Sequence, residues 1–180
     1  MVVFKAEEWI WIEHKEQGWI PVKMATLNGG KIVCKSNANE QFEIKESAEC
    51  PSVVPSSLIP VDNMVYMEEL SEAAILHNLK MRFDDNVIYT YISSILVSVN
   101  PFKMLPIYSP QIMEEYRVKM AARQTLAPHV YALADNAYKS LVQDAMNQSV
   151  IISGESGAGN QHVNNRNIIG YLLYSLQTNV

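Results

Sequence analysis

Residues 149–161, Ser-Val-Ile-Ile-Ser-Gly-Glu-Ser-Gly-Ala-Gly-Asn-Gln, place a short apolar run before a glycine-rich turn, and an amphipathic stretch starts directly behind it. Strand, glycine turn and helix in that order are the layout of a phosphate-binding loop. Glycine lets backbone N–H groups converge on one anion, and the helix N-terminus adds its dipole. In the pattern G-x-x-x-x-G-K-[S/T] the lysine reaches the outer phosphates and the hydroxyl holds Mg²⁺. Gly154 and Gly159 have that spacing, with Glu155, Ser156, Gly157 and Ala158 between them. Asn160 stands in the lysine position and Gln161 in the hydroxyl position. One lost charge-assisted contact costs about 1.5–3 kcal/mol, or about one to two decades of affinity. The expectation is therefore a loop with the backbone of a phosphate site and a weak or absent grip on a triphosphate. Taken alone, the stretch reads equally as a plain turn between a strand and a helix, so its surroundings decide.

The chain before the loop changes character twice. Trp9–Ile12, Gly18–Ala25, Lys31–Lys35 and Gln41–Lys45 read as short strands, with turn signals at Asn28-Gly29-Gly30 and Asn37-Ala38-Asn39. They predict a small antiparallel barrel over residues 1–48, folding on its own, with Trp9, Trp11 and Trp19 as its core rather than as a peptide-binding surface. Residues 49–63, with Pro51, Pro55 and Pro60, read as an extended linker without regular structure.

Residues 64–180 read as a second, mixed α/β region that is only partly stable. A helix is expected over Tyr66–Phe83 with Leu70, Ala73, Ala74, Leu76, Leu79 and Phe83 on one face. Two strands follow at 87–92 and 95–99. Pro110 and Pro128 suit the first turns of two more helices, the second burying Val130, Leu133, Ala134, Ala137 and Leu141 while Asp135, Lys139 and Asp144 stay wet. A buried strand at Ser149–Ser153, the glycine loop, and a helix from about Asn160 to Gln177 complete the reading. The apolar face of that last helix is Val163, Ile168, Ile169, Leu172, Leu173 and Leu176.

Composition closes off other classes. A formal charge of −5 offers no general attraction to nucleic acid or anionic membrane, so any anion site must be local. No apolar run is long enough to span a bilayer, and the start lacks a signal-peptide core. Cys34 and Cys50 lack a paired-motif spacing and suit a reduced, cytoplasmic setting. His14, His77, His129 and His162 are scattered, with no metal-ligand spacing and no catalytic trio; neither a metal site nor a catalytic residue is assigned.

Several stretches together resemble the myosin motor domain. The loop Gly-Glu-Ser-Gly-Ala-Gly is similar to the form found there, as are Asn100-Pro101-Phe102-Lys103 with Leu105-Pro106-Ile107-Tyr108, Tyr116-Arg117, Pro128–Ala132 and Ala134–Tyr138. Leu76–Leu79 and Ile88–Tyr91 fit upstream. The resemblance runs in register over about residues 5 to 175. It implies an SH3-like N-terminal barrel, followed by the opening of a P-loop NTPase motor core that is incomplete at its C-terminal end. Implied with it are ATP and Mg²⁺ as ligands, actin as partner, and a cytoskeletal location; light-chain or tail partners are not encoded here. Gly154–Gln161 would then cradle the phosphates, and Asn100, Pro101, Phe102, Lys103, Tyr108 and Arg117 would line the base side. The chain departs from the family's lysine and threonine at Asn160 and Gln161, from its Glu-Asn pair at His162-Val163, and from a common glycine at Val118. The family's switch segments would lie beyond Val180, and no Asp or Glu follows Glu155. Hydrolysis by this chain alone is therefore not expected. A non-catalytic scaffold or interaction module is the alternative reading.

Overall fold

The computed structural model describes residues 5–155, 157–158 and 168–178. They fall into two compact units. One comprises the described residues up to Val61 together with Tyr66–Arg82, and the other Asp62–Val65 together with the described residues from Phe83 onward.

In the first unit β1 (Trp9–His14), β2 (Gly18–Asn28), β3 (Lys31–Lys35) and β4 (Gln41–Lys45) form an antiparallel sheet in chain order. The β2–β3 turn is the one Asn-Gly-Gly predicts: Asn28 pairs with Lys31, and Gly29 and Gly30 between them both have positive φ, 57° and 77°. A bulge between Met24 and Thr26 helps to curl the sheet into a half-barrel. Alternation along the strands sorts the side chains. Ile10, Ile12, Ile20, Val22, Met24, Ile32 and Cys34 bury one face. Trp11 is fully buried on the other, where Trp9 and Trp19 join it against Val53, Ala73 and Ala74. The tryptophans are core, as expected, but in a second cluster rather than inside the half-barrel.

What covers that second face comes from the stretch expected to be a bare connector. Trp11 N–H donates to the Pro51 carbonyl at 2.8 Å, Val53 N–H donates to the Trp9 carbonyl at 2.9 Å, and Ile10 bridges Ser52. Pro51 has no N–H but keeps the carbonyl that the β1 edge needs, so proline does not prevent this pairing. A 3₁₀ turn at Pro55–Leu58 follows, with Ser57 buried. Residues 49–63 thus carry regular structure.

Helix α1 (Glu72–Asp84) begins six residues later than periodicity suggests. Ser71 stops it: its Oγ accepts from Ala74 N–H at 3.2 Å and its carbonyl from Ile75 N–H at 3.0 Å, the geometry of an N-cap. The buried face is Ala73, Ala74 and Asn78, not the leucine stripe, and Leu70 is exposed. Asn78 is held there because its carboxamide satisfies both polar groups of Val61, accepting from the N–H at 2.8 Å and donating to the carbonyl at 3.2 Å.

The second unit contains the hairpin of β5 (Tyr89–Ile92) and β6 (Ile95–Ser98), then α2 (Pro110–Ala121), α3 (Val130–Gln143) and α4 (Ile169–Thr178). Pro110 sits in the first turn of α2 behind the Ser109 cap, as predicted. Pro128 does not enter α3; His129 is the cap, its Nδ1 accepting from Tyr131 N–H at 3.1 Å. With Nδ1 accepting, Nε2 carries the proton and donates to the Ile107 carbonyl at 3.0 Å. The ring lies 4.6 Å from that of Tyr131, 4.9 Å from Tyr116 and 5.1 Å from Tyr89. Burial pulls its pKa down to about 4, with the Ile107 contact opposing, so the imidazole is neutral.

Other expectations fail in this unit as well: Leu141, expected on the buried face of α3, is 47% exposed. Asp135, expected in water, is only 3% exposed. It accepts from the Tyr171 hydroxyl at 2.8 Å and faces Lys139 Nζ at 2.7 Å, which is how a carboxylate survives burial. In α4 and just before it, the buried positions are Ile168, Tyr171 and Ser175, while Ile169 and Leu173 are exposed; Val163 and the Leu176 side chain lie outside the described residues. Ser149–Ser153 forms no strand and Ile151 is 90% exposed. Apolar β-formers become a strand only against a ladder partner, and among the described residues the β5–β6 sheet has two strands and takes no third. Among the described residues no helix is long and apolar enough to cross a membrane.

Candidate functional site

The glycine loop closes on itself through a turn in which the Ala158 N–H donates to the Glu155 carbonyl at 3.0 Å. Gly157 occupies the third position with φ +86°. That value lies in the left-handed region, where a side chain is strained. An added Cβ would meet no atom within 4 Å, so the constraint is the backbone angle and not space.

The Asn-Pro turn reaches this loop directly. Asn100 Nδ2 donates to the Gly157 carbonyl at 2.8 Å, while Asn100 Oδ1 accepts from Phe102 N–H at 2.9 Å. One carboxamide therefore spans two turns that are 57 residues apart in the chain. Phe102 has φ +49° and its ring is 85% exposed; Lys103 is also exposed and Pro101 half-buried. Gly154 and Ala158 line a cavity of about 700 Å³ whose other walls come from β6, α3 and the 148–153 segment.

The remaining predicted site residues are placed differently. The Tyr108 hydroxyl is paired with that of Tyr89 at 2.7 Å, its carbonyl accepts from the Tyr131 hydroxyl at 3.0 Å, and burial raises its pKa. Arg117 forms a fork with Glu114, at 2.8 and 2.7 Å, and lines a separate cavity of about 680 Å³ with Arg123, Asp135 and Lys139. Glu114 also accepts from the Tyr174 hydroxyl at 2.8 Å. The Arg117 contact first, and Tyr174 second, hold its carboxyl down to about 2. Ser156, Gly159, Asn160 and Gln161 lie outside the described residues.

Among the described loop residues, Glu155, Gly157 and Ala158 form a closed turn. The Ala158 N–H, which could face a phosphate, is engaged by Glu155 within the loop. Among the described residues no group of three or more His, Cys, Asp or Glu could hold a metal ion. Gln161, in the position of the hydroxyl that holds Mg²⁺ in the phosphate-loop pattern, lies outside the described residues. Sequence reading missed the His129 cap and the Asp135–Tyr171 pair; a polar residue directly before the α3 periodicity was the available signal for the first.

Residues 61–179 match the myosin head (motor domain) family. The chain is similar to the high molecular weight form of myosin-1 of Acanthamoeba castellanii, with 41% identity over 155 residues, 84% of this chain and 10% of that protein. It is 38% identical over 151 residues to Myosin-8 of Arabidopsis thaliana, 83% of this chain and 10% of that protein. With Myosin-6 of the same plant it shares 37% over 166 residues, 92% of this chain and 11% of that protein. The chain spans about a tenth of the length of these relatives, and within that span it belongs to the myosin head (motor domain) family.

Proposed function

We propose that this chain is the N-terminal segment of an actin-based, ATP-dependent motor of the myosin type, working in the cytoplasm on the cytoskeleton. In this reading Gly154–Gln161 supplies the phosphate side of the nucleotide site and Asn100–Lys103 the base side. Tyr108 and Arg117, expected on the base side as well, are engaged elsewhere, by Tyr89 and by Glu114. The observation that carries it is the Asn100–Gly157 hydrogen bond, since it couples the two stretches that the family resemblance assigns to one nucleotide. With Asn160 and Gln161 in the cation and hydroxyl positions, the chain alone holds Mg-ATP weakly and does not hydrolyse it. Actin is the proposed partner of the whole motor.

A second reading rests on the same two residues. A loop that keeps its turn and lacks lysine and hydroxyl suits a non-catalytic remnant serving as a scaffold. Titration of a fluorescent ATP analogue with Mg²⁺ against the chain and against Asn160→Lys/Gln161→Thr separates them. The motor reading expects the double variant to gain about 10- to 100-fold in affinity. Equal, negligible binding by both supports the scaffold, and micromolar binding by the unaltered chain sinks the claim that these positions disable the loop.

A further inference from the structure

We propose that Asn100 is a positioning residue that sets the shape of the glycine loop, so that the Asn-Pro turn and the loop move as one device. The inference rests on the nucleotide-site reading for its purpose but not for its geometry.

Both ends of the Asn100 carboxamide are used, and they are used on different turns. The donor end fixes the Gly157 carbonyl at 2.8 Å, and the acceptor end fixes the Phe102 N–H at 2.9 Å. Gly157 is the one described residue of the loop in the left-handed region, at φ +86°, so its two flanking peptide planes are what define the turn. Anchoring its carbonyl fixes the plane that carries the Ala158 N–H, because the carbonyl of one residue and the N–H of the next share a rigid peptide unit. Asn100 thereby decides where that N–H points, and it currently points back to the Glu155 carbonyl. On the other side, Phe102 at φ +49° is a non-glycine residue held in the same sparsely populated region. The carboxamide bond to its N–H stabilises that conformation and hence the outward path of Phe102 and Lys103. Only a side chain with a donor and an acceptor on one planar group, one carbon from the backbone, serves both turns at once.

The substitution series follows from this division of labour. Asn100→Asp keeps the acceptor for Phe102 and loses the donor for Gly157. Asn100→Ala loses both. Asn100 is not in a hydrophobic cluster, so both variants retain the fold. In the full chain, NMR of the Gly157 carbonyl carbon and the Ala158 and Phe102 amides reads each bond directly. Asn100→Asp is expected to move the Gly157 and Ala158 signals and leave Phe102 in place, while Asn100→Ala moves all three. A merely structural role, acting through general loosening, gives the same pattern in both variants and overturns the proposal, as do unmoved Gly157 and Ala158 signals.

The second arm places the same substitutions in the Asn160→Lys/Gln161→Thr chain and measures affinity for a fluorescent ATP analogue with Mg²⁺. A loss of about five- to tenfold in both variants is expected from one hydrogen bond of positioning. Unchanged affinity where the parent binds well overturns the proposal. If the NMR pattern appears and no chain binds the nucleotide, Asn100 keeps its role and the nucleotide-site reading falls.

Discussion

The two units are built from similar raw material, short runs of β-branched and aromatic residues, and they differ in whether a strand finds a partner nearby. In the first, β1 pairs with β2 on one side and with the Pro51–Val53 stretch on the other, and both faces of the sheet are covered within about 75 residues of chain. In the second, β5 and β6 pair with each other, and Ser149–Ser153 lies beside them without a ladder. A lone hairpin is marginal in water, so this unit is held by its helices and by a tyrosine-rich core around His129 and Tyr171. The lesson is that strand propensity is a request, and the topology grants it only where a second edge is available.

The sharpest way to break this comparison is to remove the local partner. A fragment ending at Ala48 keeps four strands but loses Pro51–Val53 from the β1 edge, and Val53, Ala73 and Ala74 from Trp11. Exposing a tryptophan of this kind costs about 3–5 kcal/mol, comparable with the whole stability of a small domain. We expect the 1–48 fragment to show no cooperative melt and the 1–82 fragment to show one. All three tryptophans lie in this unit, so their fluorescence during urea unfolding reports it alone. A cooperative 1–48 fragment would mean that the half-barrel does not need its outer cluster.

Acid should separate the units next. The folded-state pKa of His129, about 4, lies below the ordinary imidazole value, so the unfolded chain binds more protons between those two pH values. Its contribution is therefore present at neutral pH and is lost as pH falls from about 6.5 toward 4, by about 3 kcal/mol in total. Helical circular dichroism should fall over that window while tryptophan fluorescence holds. Asn at position 129 still caps a helix but does not titrate, so His129→Asn should flatten the helical profile. An unchanged profile would place the acid sensitivity elsewhere.

These two tests also mark what was readable from residues alone. β3 and β4 and the Asn-Gly-Gly turn were legible because their signals are local, set by alternation and by two glycines that must take positive φ. The start of α1 was not, because the apolar pattern runs on past Ser71 and the cap competes with it only through one hydroxyl. The buried face of α4 was misread because Tyr171 counts weakly as apolar, yet its ring is fully buried once Asp135 takes its hydroxyl. Ser149–Ser153 failed for the opposite reason, being strand-like in sequence with no described partner to pair with. At the candidate site, the glycine spacing and the Asn-Pro turn were visible. The bond joining them spans 57 residues and leaves no periodic trace.

A smaller effect tests the tyrosine core. Tyr171→Phe keeps the ring and deletes the hydroxyl that donates to Asp135. A hydrogen bond to a charged group contributes about 1.5–3 kcal/mol, and Lys139 remains to compensate the carboxylate, so a loss near the lower end is expected. The helical transition in urea should shift while the tryptophan transition stays in place. Movement of both would mean that the units unfold together, and the contrast drawn above would have no energetic counterpart.

The smallest expected change is the most telling about the unpaired segment. Ile151 is 90% exposed, so its side chain gives up almost no water contact on folding, and Ile151→Ser should change stability by less than about 0.5 kcal/mol. The same substitution in a paired, buried strand such as Ile10→Ser would remove a fully buried side chain and cost several-fold more. The pair of variants thus measures the ladder and not the residue type. Because Ile151 is an apolar β-former without a strand partner among the described residues, Ile151→Ser should also reduce self-association, read as a lower sedimentation average at equal concentration. If Ile151→Ser instead destabilises the chain as much as Ile10→Ser does, then Ser149–Ser153 is packed in solution, and the second unit has found the strand partner that separates it from the first.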